Sequence, residues 1–519
     1  MAYTKTPEQS TYSSERIPAA YGINLRPGAV STANKDAGMI NVIPFQNNKA
    51  GSKELWGETR YGLSGVSVVN SPGSVCRGTY VWEKTSSATY YFVVVNTSVY
   101  TSTNGLTWTA VDTLLTNATT PVRFTEFIDS TNVKKLVLVD GVEGYVYTTN
   151  AAGTKITDAD FPTPHVPFPV FIDGYLFLAK AGTGDIYNSN LNDPALWTAG
   201  DFISSELYPD DIQAILKVNN YLLAIGNQGS EYFYDAANAT GSPLARYEGG
   251  NLPFGTSFPN LIATNKDTVV LLANNNDGEG VFKVIEGFKY KDIPCQFVLN
   301  LLNTSVNATG PSVVRGYFFR QQGELFYAVC FNGALTTTST STTTPTFAYS
   351  FSTGLWFELV YGLSTMFPVF FTASSTSNRL LTSVAGSLNG QVFFGLFSNL
   401  FNTDTINGLA TTTIYQEIRT EPFDAGTLNV KTMSRFGIGY SSNNTSASSP
   451  LISFQYTDND WDSVSAGVIT QGTNASGVGG FPFATQLGIF RQRSFKVYTN
   501  NLNRTRWKFF EMDINKGQQ

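Results

Sequence analysis

The sequence predicts an all-β protein: a β-propeller of six to seven four-stranded blades followed by a C-terminal β-sandwich-like domain. Three observations carry the prediction. First, residues 168–250 hold two consecutive copies of one unit. The first copy reads FPVFIDG, YLFLAKA, GDIYNSN and ALWTAGDFISSE, and the second IQAILKVNN, YLLAIGNQ, GSEYFYDA and SPLARYEGG. Each is four short aromatic and β-branched strands broken at Asp-Gly, Asn-Asn and Gly-Ser signals that favour hairpins. A repeated four-stranded meander is the signature of a propeller blade, because one small sheet cannot bury both faces alone. Second, the apolar second strand recurs at Tyr91, Leu136, Leu176, Leu222, Val269, Leu325 and Val392, at spacings of 45, 40, 46, 47, 56 and 67 residues. Near-continuous apolar runs suit strands covered on both faces. Third, two other marks keep the same order. Phe-Pro precedes the hairpin at Phe168-Pro169, Phe258-Pro259 and Phe367-Pro368, and an aromatic turn follows the third strand at Trp108, Trp197 and Trp356.

Taken in order, residues 1–70 read as an N-terminal arm, polar at first, with a strand near Ile40 to Phe45 and a candidate ring-closing strand. Residues 71–405 are the propeller. Within it the low-complexity stretch Thr336 to Thr344 reads as an exposed hairpin loop. From residue 406 to 519 the pattern changes to longer alternating strands such as IYQEIRTEPFD, SRFGIGY and RSFKVYTN, the C-terminal β-sandwich-like domain. Its end is basic, with Arg491, Arg493, Lys496, Arg504, Arg506 and Lys508, which reads as a solvated strand face or as a docking patch for an acidic partner.

Composition bounds the function. Of 519 residues only 14% are charged and 14% are aromatic, and the net charge is −6 with a pI near 5.1. Tight binding to nucleic acid phosphates is disfavoured at that charge. Cys76, Cys295 and Cys330 are too few and scattered for a disulfide framework and read as small buried hydrophobes. No stretch approaches the length of a membrane span, and the first residues lack a signal-peptide core, so membrane insertion and export are not expected.

Catalytic chemistry finds little to work with. The single histidine, His165, removes most hydrolase and metal constellations, and in FPTPHVPFP it reads as structural or surface. The chain has no phosphate-binding loop or dinucleotide fingerprint. Asp210-Asp211, and Asp458, Asp460 and Asp462 in TDNDWDS, raise calcium, but the latter lacks the glycine turn and closing glutamate of a calcium loop and reads as a solvated turn. The sequons at Asn117 and Asn238 follow from composition. No catalytic, cofactor-binding or metal residue is singled out, and no enzyme activity is expected. The turn TSTNGLTW is similar to the Asp-box hairpin of sialidase-like propellers, shortened by one residue and with Asn104 in place of Asp; there the box is a structural turn. A secreted sialidase-like or glycan-binding propeller, needing an arginine cluster and a tyrosine–carboxylate pair at the centre, is therefore the alternative.

The block from Asp173 to Gly250, with SNLNDPALW, GSEYFYDA and SPLARYEGG, resembles the tail accessory proteins of short-tailed bacteriophages, the packaged-DNA stabilisation or tail nozzle family. The similarity extends to INLRPG, IYQEIRTEPFD and SRFGIGY, while the loop Thr336 to Thr344 and the chain after about Ser441 depart from it. The resemblance implies a structural virion protein of the phage tail, made in the host cytoplasm. It further implies a homohexameric nozzle or head-to-tail connector ring below a portal–adaptor ring, in contact with tailspikes or fibres and a plug or needle protein. Such a ring extends the DNA channel and helps retain the genome, with DNA passing and not tightly bound.

Overall fold

The computed structural model describes residues 12–23, 37–47, 54–70, 76–112, 120–208, 210–274, 280–294, 297–299, 302, 314–331, 346–361, 366–373, 380–386, 392–398, 402–405, 411–442, 452–459, 463–468, 479–500 and 504–516. Among the described residues, seven four-stranded antiparallel units form the propeller, each running from an innermost strand outward. Blade 1 comprises Cys76–Thr85, Ala88–Val95, Ser98–Ser102 and Thr109–Asp112. Blade 2 comprises Arg123–Ile128, Lys134–Val139, Gly144–Tyr147 and Thr154–Lys155. Blade 3 comprises Val170–Ile172, Tyr175–Ala179, Asp185–Asn190 and Asp193–Ser204. Blade 4 comprises Ala214–Val218, Tyr221–Ile225, Ser230–Asp235 and Leu244–Leu252. Blade 5 comprises Ala263–Asn265, Thr268–Asn274, Gly280–Glu286 and Lys289–Ile293. Blade 6 comprises Val314–Gln321, Glu324–Phe331, Thr346–Ser350 and Trp356–Leu359. Blade 7 comprises Met366–Ala373, Leu380–Gly386 and Val392–Ser398, and its outer strand is Gly62–Asn70 from the N-terminal arm.

The inner hairpins follow from their turns. Ile172 pairs with Tyr175 across Asp173-Gly174, and Gln321 with Glu324 across Gln322-Gly323. Both central residues of each turn have positive φ, the geometry whose twist matches that of the flanking strands. The second strands are covered on both faces: Phe92 to Val95, Leu136 to Val139 and Val269 to Leu271 are all fully buried. Each such side chain contributes roughly 1.5–3 kcal/mol relative to exposure. In the last blade the apolar run from Val392 is the third strand, and the second is Leu380–Gly386. The apparent 67-residue step arises because LLTSVAG interleaves Thr and Ser and so escapes an apolar ruler. The chain leaves that blade after three strands, and Gly62–Asn70 supplies the fourth.

Apart from a small hairpin of Thr403–Thr405 and Thr411–Thr413, the remaining strands build a two-sheet sandwich shared by both ends of the chain. In one sheet Val42–Asn47, Glu54–Thr59, Thr505–Lys516, Lys431–Ser442 and Gly479–Gly480 lie side by side, with Tyr12–Pro18 also on Thr505–Lys516 and Phe483–Phe490 also on Lys431–Ser442. The other runs Gly38–Ile40, Gln416–Arg419, Ser494–Thr499, Ser453–Thr457 and Ser465–Val468. It is continuous with blade 6, because Ile40 pairs in parallel with Glu358 of the outer strand. Between the sheets Phe436 stacks on Phe495 at 4.3 Å. One core joins Phe436, Trp507 and Phe510 to Tyr317, Phe319 and Phe326 of blade 6.

Candidate functional site at the propeller centre

The innermost strands of blades 1 to 6 line a cavity of about 510 Å³. Neighbouring inner strands approach closely because glycine stands where they cross. A Cβ on Gly78 would lie 2.3 Å from the Val122 carbonyl oxygen, and one on Gly316 would lie 2.4 Å from that of Leu261. Each contact is backbone against backbone, so no side-chain rotation relieves it.

The charged side chains of the described lining are cationic. Arg123 of blade 2, Lys217 of blade 4 and Arg315 of blade 6 line it, and among the described lining residues there is no Asp or Glu. The Arg123 guanidinium stacks over the Phe168 ring at 3.8 Å and its Nη2 donates to the Pro259 carbonyl at 3.4 Å, while its buried Nε has no hydrogen-bond partner. Burial and the like charge of Arg315 lower the Arg123 guanidinium to about 9, and burial lowers Arg315 to about 10. Both remain cationic at neutral pH. Tyr80 also lines the cavity; its hydroxyl donates to Glu126 Oε1 at 3.3 Å, and Lys134 holds the other carboxylate oxygen at 3.2 Å. Burial, then the Glu126 charge, raises the Tyr80 phenol, so the neutral form persists.

The residues singled out in the sequence lie elsewhere. His165 is buried between blades 2 and 3: Nδ1 donates to the Pro162 carbonyl at 2.9 Å and Nε2 accepts from the Gly141 amide at 3.2 Å. Burial lowers it to about 4, which fixes a neutral structural imidazole. Cys76 and Cys330 are buried, with burial pushing the Cys330 thiol up to about 12; Cys295 lies outside the described residues. In the Asp-box-like turn Asn104 takes the part of aspartate. Its Oδ1 accepts from the amides of Leu106 and Thr107 at 2.8 and 3.0 Å, and Ser102 Oγ accepts from Gly105 at 2.8 Å. Trp108 Nε1 donates at 2.8 Å to Ser67 Oγ on the ring-closing strand, which ties blade 1 to blade 7.

Among the acids, Asp210 accepts from the Gln228 amide, and Asp458 forms a two-pronged pair with Arg493 at 2.7 Å; Asp460 and Asp462 lie outside the described residues. Asn238 donates within its own loop to the Ser242 carbonyl at 3.1 Å, and Asn117 lies outside, as does the loop Thr336 to Thr344. The basic C-terminal end is largely engaged within the chain. Arg493 pairs with Asp458, Lys496 with Glu417, and Arg504 and Arg506 with Glu58, while Arg491 donates to the Leu428 carbonyl. Sequence reasoning passed over Arg123 and Arg315. A signal existed: an apolar residue followed by arginine opens three inner strands, at Cys76-Arg77, Val122-Arg123 and Val314-Arg315. Only meeting in space distinguishes them, since Arg77 pairs with Asp140 at 3.4 Å.

A family model described as bacteriophage P22 Gp10, β-propeller, matches residues 28–340. No curated protein matches the sequence. Among solved structures, a streptogramin B lyase is similar at 9% identity and a TM-score of 0.38, covering 65% of this chain and 98% of its own. BBS1N in complex with ARL6DN is similar at 10% identity and 0.38, covering 67% and 98%. BamB from Moraxella catarrhalis is similar at 12% identity and 0.35, covering 70% and 99%.

Proposed function

The chain belongs to the bacteriophage P22 Gp10 β-propeller family and is a phage structural protein; from that premise we propose that it forms a six-fold tail nozzle, or head-to-tail connector ring, of a short-tailed phage. In that role it extends the DNA channel, helps retain the packaged genome and carries tailspikes or fibres below a portal–adaptor ring. The observation that carries the reading is the family match across residues 28–340, which takes in most of the arm and the propeller through the second strand of blade 6. Two physical features support it. The ring is closed by Gly62–Asn70 and fused to the sandwich through one continuous sheet, a rigid wedge suited to heterologous packing around a rotation axis. The net charge of −6 disfavours tight phosphate binding along a channel through which DNA must slide.

The proposed role is structural and not enzymatic. Among the described residues, the Tyr80–Glu126 pair near Arg123 and Arg315 in the cavity is the arrangement that favours a sialidase-like reading. It lacks a lining acid among the described residues, and Lys134 already holds Glu126. Quantitative mass spectrometry of purified particles tests the proposal. Half as many copies as a twelve-subunit portal is the expected result, and absence from the particle overturns it. Turnover of a chromogenic sialoside, abolished in Y80F, would favour the enzymatic reading instead.

A further inference from the structure

We propose that the outer strand of blade 3 and one corner of the sandwich are the two halves of a single contact, through which a second copy of this chain docks. The inference rests on the ring reading above and names the surfaces that close the ring. Among the described residues the two most exposed large apolar side chains are Ile489 at 68% and Leu428 at 64%, and Val430 beside them is exposed as well. The register brings them to one corner of the sheet: Lys431 pairs with Phe490, Thr432 with Ile489, and Arg491 reaches back to the Leu428 carbonyl at 3.2 Å. A second exposed set follows one strand of blade 3, with Leu196 and Phe202 inside Asp193–Ser204 and Leu191 and Leu207 just beyond its ends. Single exposed apolar residues are ordinary, but gathered ones mark a docking surface.

The two surfaces complement each other in charge. At the sandwich corner Asp424 offsets Lys431 and Glu15 pairs with Lys516, which leaves exposed Arg491 with no ion pair among the described residues. Along the blade 3 strand Asp193 and Asp201 likewise form no ion pair among the described residues. Glu206 past its end is exposed and faces Arg246 at 3.7 Å, while Glu231 holds that arginine more closely, at 2.8 Å. An apolar centre with opposite charges at its rim is the usual anatomy of a protein interface, and the charges set its register. Placement fits as well. The sandwich continues the sheet of blade 6, three blades from blade 3, which is the widest separation that seven blades permit. A ring of identical subunits needs two different patches on opposite flanks of each. Side chains make the contact and not an added strand: Ser189 pairs with Trp197 and Tyr187 with Phe202, so the outer strand bulges between them and offers no regular edge.

The test uses purified particles whose full chain carries L196C together with I489C, treated with a short bismaleimide and run on a denaturing gel. A ladder of joined chains rising to six is expected, and neither cysteine alone gives it. A missing ladder at unchanged copy number overturns the contact and leaves the ring standing, whereas absence of the unsubstituted chain from particles removes both. Coupling of I489C alone to a different tail protein assigns that corner to another partner and equally overturns the proposal. If the doubly substituted chain is not incorporated, charge reversal decides. D201K and R491E are each expected to lower the copy number roughly 10-fold or more, because like charges then face each other across the contact, and the two together to restore most of it. Full incorporation of both single variants, or no recovery in the pair, overturns the contact.

Discussion

Arg60, where the propeller meets the sandwich, and Arg123, at the propeller centre, are both arginines removed from bulk water, and the chain treats them in opposite ways. Arg60 is fully buried and pairs with both carboxylate oxygens of the equally buried Asp404. Its remaining donors go to Asn41 Oδ1 at 2.9 Å and to the carbonyls of Tyr61 and Val360, each at 2.8 Å. Five donors meet five acceptors drawn from the arm, blade 6 and the chain after blade 7. Arg123 has a ring beneath it, one long hydrogen bond and a second cation opposite. The junction uses charge as a clasp among segments distant in sequence, whereas the centre is held by glycine-permitted backbone packing and by the stacking of Arg123 on Phe168.

The comparison breaks most sharply at the clasp. In D404A the Arg60 charge is left buried and unopposed, and a loss of about 3–5 kcal/mol is expected in chemical denaturation. A small effect would mean that the clasp is not what locks the arm to blade 6. Next is the centre: G78A drives a Cβ toward the Val122 carbonyl and is expected to cost roughly 1–3 kcal/mol by overpacking. An unchanged melting temperature would show that the inner strands can separate.

A third change sharpens the comparison inside the junction, where pairing is incomplete. Glu358, beside Ile40 in the sheet that joins blade 6 to the sandwich, is raised to about 7 by burial and then by the charge of Glu417, partly countered by Arg419. Burial also works against Glu417, but Arg419 and Lys496 outweigh it and hold that carboxyl low. Because the folded-state value of Glu358 lies above the ordinary 4.5, the native state binds the extra proton. Stability from this group is therefore whole below pH 4.5 and is lost as pH rises to 7. E358Q is expected to flatten that slope and to raise stability at pH 8 by roughly 1–2 kcal/mol, read as denaturation midpoint against pH. An identical slope in the variant would remove Glu358 as its source. The smallest effect has the opposite sign from the clasp: R123M is expected to leave stability unchanged or raise it by about 0.5 kcal/mol, since it relieves the like-charge repulsion from Arg315. A loss comparable to that of D404A would make Arg123 a structural residue like Arg60.

Much of the fold was written in local pattern. Asp173-Gly174 and Asn219-Asn220 mark two-residue hairpins because few residues accept positive φ, and runs such as LVLV and LLAI mark strands buried on both faces. Where the local pattern weakened, the reading slipped, as at Leu380–Gly386, whose Thr and Ser hide a second strand behind the more apolar third. The candidate site was harder to see. Val122-Arg123 and Cys76-Arg77 look alike in sequence, and only one of them finds an aspartate.

By itself, then, the sequence determined the all-β class, the repeat, the hairpin register and the absence of familiar catalytic motifs, because each depends on residues within a few positions of one another. The sequence already offered a ring-closing strand within residues 1–70; tertiary structure decided that it is Gly62–Asn70, that Arg60 meets Asp404 across 344 residues, and that Arg123 and Arg315 share one cavity. Those pairings join segments whose separation along the chain carries no periodic signal. Their energies come from burial and charge, which exist only once the ring is closed.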